Sequence, residues 1–231
     1  MSLLGIIGGI GPESTIDYYR KIISLYRERV PGGSYPALII NSIDSQKLIA
    51  LISRNAREEM VELLLREVER LQRAGATFGL LAANTPHMVF DALQARSALP
   101  LLSIVEATCA AARGLGLRRV GLFGTSFTMQ GEFYPEVFSR EGAQLIVPSR
   151  EEQDDIHHKY MNELFRGIFL PETRERLFQI AERMRAEEGI EGLILGGTEL
   201  PLILSDTQGR GMPFLDTTQI HVQSALAQML E

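Results

Sequence analysis

Short apolar runs alternate with longer amphipathic ones along the chain, and this alternation constrains the fold more than any other feature. Residues 3–8, 36–42, 78–83 and 101–104 each read as a strand. Between them, 13–29, 55–75 and 87–97 read as helices, with Ile16, Tyr19, Ile22, Ile23 and Tyr26 recurring at helical spacing. Pro12 sits at the first turn of the first helix, where its missing N–H is tolerated. Strand and helix in alternation is the pattern of βαβ units and a parallel sheet. The second half repeats the rhythm: helix 106–114, strand 119–124, helix 128–141, strand 145–147, helices 153–166 and 172–188, strand 192–196, a stub at Phe214 and a closing helix over 217–230.

The halves also answer each other in detail. Gly5-Ile6-Ile7-Gly8-Gly9-Ile10-Gly11 corresponds to Gly121-Leu122-Phe123-Gly124-Thr125-Ser126, each a strand turning through small residues into a helix. The loop Asn84-Thr85 corresponds to Thr198-Glu199. The expectation is therefore an α/β protein of two similar domains, the first formed by 1–98 with a closing helix from 215–231 and the second by 99–214. In such sheets ligands sit beyond the carboxyl ends of the strands, and two such ends facing each other would enclose a cleft.

Composition narrows the partners. With 231 residues, 45% of them hydrophobic, the chain can bury a substantial core. Its net charge of −6 argues against nucleic acid, because phosphate binding needs a concentrated basic face. The densest basic cluster, Arg113, Arg118 and Arg119, is broken by Gly-Leu-Gly and reads as a solvated helix end. No apolar run approaches the roughly 20 residues that span a bilayer. The first residues read as a core strand rather than a signal peptide, and a single cysteine, Cys109, suits a reducing cytoplasm.

Several residues could carry chemistry. The turn Gly8-Gly9-Ile10-Gly11 offers backbone amides to a small carboxylate, with a tight strand-to-helix turn as the equal alternative. It lacks the dinucleotide register and a phosphate-binding lysine. Asn84, Thr85 and Thr198 fall at loop tips where they could grip an α-carboxylate and an α-amino group, or serve as helix caps. Thr125, Ser126 and Thr128 add hydroxyls and helix-start amides. His87 and Glu199 can titrate at these tips, although a lone histidine is more often structural than catalytic. The adjacent His157 and His158 point about 100° apart on a helix and form no chelating pair, so no metal site is expected. Cys109 lies in a small-residue helix face and reads as packing.

On the residues 5–20, Asn84-Thr85-Pro86-His87, 122–129 with Phe133-Tyr134, Gly196-Gly197-Thr198-Glu199, and Phe214-Leu215-Asp216-Thr217 with Ile220-His221, the chain resembles the aspartate/glutamate racemase family nearly end to end. The resemblance implies two Rossmann-like domains related by a pseudo-twofold, a ligand cleft between them, a homodimer, and cofactor-independent racemisation of a small amino acid. It also implies two thiols, one directly before each Asn-Thr or Thr-Glu pair, that exchange the α-proton from opposite faces. The matching positions here are Ala83 and Gly197, which carry no proton. The expected ligand is a small amino acid or related carboxylate, held by Gly9, Asn84, Thr85, Thr125, Ser126, Thr128 and Thr198, with Lys47, Arg54 and Arg166 as candidate partners for a side-chain carboxylate. Three readings follow: a racemase-type isomerase, a lyase or decarboxylase of altered mechanism using His87 or Glu199, and a binding or regulatory protein without turnover. If the two positions flank the α-carbon, Ala83→Cys together with Gly197→Cys should create exchange at that carbon.

Overall fold

The computed structural model describes residues 2–32, 35–204 and 211–231. The chain divides into two compact units, Met1–Ile104 with Thr218–Glu231, and Val105–Thr217. In the first, β1 (Leu4–Gly8) leads to α1 (Pro12–Arg29), β2 (Leu38–Ser42), α2 (Ser45–Ser53), α3 (Arg57–Arg73) and β3 (Phe78–Leu81). A 3₁₀ turn (Thr85–Val89), α4 (Phe90–Arg96) and β4 (Leu101–Leu102) follow. The second begins in α5 (Ile104–Gly114) and continues through β5 (Arg119–Gly124), α6 (Ser126–Met129), α7 (Phe133–Arg140), β6 (Gln144–Ile146) and α8 (Arg150–Asn162). After a 3₁₀ turn (Leu164–Arg166) come α9 (Pro171–Glu188), β7 (Gly192–Gly196), α10 (Leu200–Ile203) and β8 (Phe214–Asp216). The closing helix α11 (Thr217–Leu230) then returns to the first unit.

Each unit holds one four-stranded, wholly parallel sheet, ordered β2-β1-β3-β4 and β6-β5-β7-β8. The two orders are the same, so the repeat read in the sequence is a repeat of topology. Parallel strands buried on both faces read as continuous apolar runs, and β1, β3 and β7 are buried along their whole length. The first core gathers Leu4, Ile6, Phe78 and Leu80 of the sheet, Tyr18, Ile22 and Tyr26 of α1, and Val222, Ala225, Leu226 and Met229 of α11. The second gathers Phe123, Leu193 and Leu195 with Ile156 and Tyr160 of α8 and Leu177, Phe178, Ile180, Ala181 and Met184 of α9.

Several boundaries differ from the sequence reading. Strand β4 pairs with β3, so the first unit runs past residue 98; β8 pairs with β7, so the second runs past residue 214. The helix expected from residue 55 starts at Arg57, because Asn55 takes a left-handed φ of 52° between two helices. The first of these, α2, went unread although Asp44 caps it, accepting the Gln46 amide at 3.0 Å. The single helix expected over 128–141 is two, α6 and α7. Pro135 cannot donate to the Gly131 carbonyl as a continuous helix would require.

Buried imidazoles tie the first unit together. The His221 Nε2–H on α11 donates to the Leu102 carbonyl at 3.2 Å, which leaves Nδ1 to accept the Tyr18 hydroxyl of α1 at 2.8 Å. The His87 Nδ1–H donates to the Ala83 carbonyl at 3.0 Å, and its Nε2 accepts the Ile104 amide at 3.2 Å. Both rings are therefore neutral. Burial, partly opposed by their backbone hydrogen bonds, lowers the His87 pKa to about 4; burial and the neighbouring His87 lower that of His221 to about 3. A histidine whose pKa falls on folding contributes stability that is complete above its unfolded value of about 6.5 and is lost as pH drops toward the folded value. We expect stability to fall by up to about 1.4 kcal/mol per pH unit for each of these two histidines as pH declines below about 6.5. Urea midpoints measured between pH 7.5 and 5, above the range where most carboxylates titrate, check this, and His221→Phe should flatten the dependence.

Candidate functional site

Because all strands in a sheet run the same way, every strand-to-helix turn of that sheet lies on one edge. In the first unit this edge carries the turn after β1 and the loop 82–85 after β3. In the second it carries the turn after β5 and the loop 197–199 after β7. Both first turns are built on a glycine pressed against a threonine. A methyl group on Gly8 would meet Thr15 Cγ2 at 2.5 Å, and one on Gly124 would meet Thr128 Cβ at 2.9 Å.

Of the two readings of the Gly9 turn, the contacts favour the tight strand-to-helix turn. The Gly9 amide donates to Thr15 Oγ1 at 2.8 Å, and the Gly9 φ is +79°. A side chain there would meet the Ile43 carbonyl and Ser42 Oγ, each at 2.5 Å. Its N–H is committed within the fold, so Gly9 shapes a tight turn rather than offering that amide to a carboxylate. Gly9→Ala combines a left-handed backbone with a clash, and should lower stability by at least about 2 kcal/mol, read from urea unfolding.

His87 is corrected likewise. Both ring nitrogens have partners and the ring is buried, so it holds loop 82–85 against Ile104 and has no free lone pair to act as a base. Asn84 is also buried, and its carbonyl accepts the His87 amide at 2.9 Å. Thr85 is half-buried at the start of the 3₁₀ turn. Ala83 is buried and brings only a methyl group to this tip.

The second unit carries the denser polar tips. Thr125 caps α6, its hydroxyl accepting the Thr128 amide at 3.3 Å and lying 3.2 Å from Thr128 Oγ1. The Ser126 amide donates to His157 Nδ1 at 3.2 Å, so that amide too is committed. Burial lowers the His157 pKa, and Asp154 nearby partly opposes this. At the β7 tip, Glu199 is 1% exposed, and its Oε2 accepts Thr198 Oγ1 at 3.0 Å and the hydroxyl of Tyr160. Tyr160 is also buried; burial and the Glu199 carboxylate raise its pKa well above the ordinary phenol value.

Tyr160 and His157 were missed as site residues. Their spacing on α8 places both on one helix face, but the contacts lie 39 residues from Glu199 and 31 from Ser126. The cation candidates fare worse. Lys47 and Arg54 line a shallow surface hollow with Glu58, Glu59 and Glu62, Arg54 lying 3.7 Å from Glu59. Arg166 is exposed in the turn after α8. Among the described residues no group of three histidine, cysteine or acidic side chains could hold a metal, and no helix is long and apolar enough to cross a membrane.

Paired parallel sheets with the same strand order and polar tips at their carboxyl edges define a tandem of Rossmann-like α/β units. Over residues 7–225 the sequence matches the family described as Asp/Glu/Hydantoin racemase, and the chain belongs to that family. An aspartate racemase homologue from Pyrococcus horikoshii is 36% identical, with a TM-score of 0.86 and 100% of each chain covered. A Yersinia pestis structure assigned to the Asp/Glu racemases is 31% identical, with a TM-score of 0.90 and 100% of each chain covered. The broad specificity amino-acid racemase RacX of Bacillus subtilis is 24% identical, covering 99% of this chain and 98% of its own.

Proposed function

We propose that the chain binds a small α-amino acid, or a closely related carboxylate, at its strand tips and labilises the hydrogen on the α-carbon without a pair of thiols. The observation that carries this reading is Glu199: a carboxylate buried at the carboxyl end of a parallel strand, held by two hydroxyl donors. Burying such a group is expensive, and buried ionisable groups concentrate where chemistry is done. Amino-acid chemistry is supported by membership of a racemase family and by the amino-acid specificity given for RacX. We assign the positions of the family thiols to Ala83 and Gly197, from the motifs that precede Asn84 and Thr198. Asn84, Thr85, Thr125, Thr128 and Thr198 are the proposed ligand-holding side chains. By the same resemblance we infer a cofactor-independent homodimer of the cytoplasm.

The lyase or decarboxylase reading through His87 is disfavoured by its committed nitrogens. A second reading, binding without turnover, is favoured by the aprotic Ala83 and Gly197 and is separated by the following experiment. A panel of D- and L-amino acids and their deaminated carboxylates is screened for thermal stabilisation, then incubated in heavy water and read by mass spectrometry. We expect one class of ligand to raise Tm and to take up deuterium at the α-carbon. Glu199→Gln, which keeps an acceptor for Tyr160 and Thr198, should bind the same ligand and lose at least about 100-fold in exchange. Stabilisation without exchange in the unaltered protein would establish the binding role instead, and no stabilisation by any member would overturn both.

A further inference from the structure

Gly197 is a glycine for a reason outside its own backbone. Its φ lies outside the left-handed region, so its conformation admits any residue. Space does not. A methyl group on its Cα would lie 2.8 Å from both Tyr160 Cζ and Tyr160 Oη, and nearer still to Cε2. The ring cannot swing aside cheaply. It packs in the second core, and its hydroxyl is fixed on Glu199. Its helix is also pinned. Ser149 and Glu152 close a reciprocal cap at the start of α8, and Glu152 is bound by Arg183 of α9 at 2.6 Å. Farther along, Asp155 meets Arg176 at 2.8 Å, and the Thr173 hydroxyl donates to Glu163 just beyond the helix end. The expectation that a cysteine at 197 would restore a thiol therefore fails on this geometry: the place is already filled.

We propose that Tyr160 is the acid–base group of the β7 tip, standing in the volume a residue-197 side chain would need, with Glu199 as its proton acceptor. This deepens, and rests on, the amino-acid reading above. In the step, the substrate Cα–H bond breaks and its proton passes to Tyr160 Oη while the phenolic proton passes to Glu199 Oε2. The electron pair left on the α-carbon delocalises into the substrate carboxylate. Reversal returns a proton from Tyr160 to the same face. Because one group removes and returns the proton on one face, deuterium enters with retention of configuration.

Two measurements test this, one of them independent of activity. Gly197→Ala should lower Tm by roughly 5 °C or more through overpacking. In a Tyr160→Leu background, which removes the outer ring and the hydroxyl, the same substitution should lower it by much less. Equal losses in both backgrounds would show that the ring does not hold that space and would overturn the steric half of the proposal. For the chemical half, Tyr160→Phe keeps the ring and should retain ligand-induced stabilisation while losing at least about 100-fold in α-deuteration. Chiral chromatography of deuterated ligand from the unaltered protein should show a single, unchanged hand. Undiminished exchange in Tyr160→Phe, or a racemised product, would overturn the role of Tyr160 while leaving the amino-acid reading intact. Binding without exchange in the unaltered protein would overturn both the role and the labilisation reading. Absence of binding would remove the amino-acid reading itself, with the Tm comparison still deciding the packing.

Discussion

A parallel strand cannot reach its neighbour by a tight turn; it must cross over, usually through a helix, and this one constraint organises the molecule. It fixes the direction of every strand and so gathers the turns after β1 and β3 on one edge, and those after β5 and β7 on one edge of the other sheet. The polar residues Asn84, Thr125, Thr198 and Glu199 are buried there because a crossover helix begins at each turn. The Gly8–Thr15 and Gly124–Thr128 contacts show how tightly helix and strand end must approach. A larger residue at either glycine would push the helix start away and take the loop geometry with it.

The alternation of apolar and amphipathic segments was enough to read the α/β class and the duplication. Periodicity reports which face of a segment is buried, and β1, β5, β7, α1 and α9 follow it closely. It does not report caps or backbone exceptions, which is why α2 behind Asp44 and the break at Gly131 escaped it. The polar tips were legible as motifs because each follows an apolar strand directly. What each group is bonded to was not. His87 stays open between a structural and a titrating role until its two partners are seen, and Gly9 between an anion-binding and a tight turn until its amide is found on Thr15. Tyr160 gives no local sign at all, since its partner lies across the unit.

Buried polarity takes two forms. The first unit uses neutral imidazoles as connectors, each ring donating once and accepting once, and also buries Glu67 against Asn41 and Arg70. The second buries a carboxylate and surrounds it with hydroxyls. Neutral connectors avoid burying charge, whereas hydroxyl donors offset part of the cost of burying a carboxylate.

The return of α11 to the first unit bears on how the chain matures during synthesis. Val222, Ala225, Leu226 and Met229 complete a core whose other members come from residues 4–82, and His221 ties that helix to Tyr18 and Leu102. As the polypeptide leaves the ribosome, the segment up to Ile104 waits with an open apolar groove until α11, made after Val105–Thr217, arrives. The middle segment, Val105–Thr217, carries both its sheet and its covering helices and can close earlier. Vectorial synthesis thus lets the second unit's residues emerge complete before those of the first.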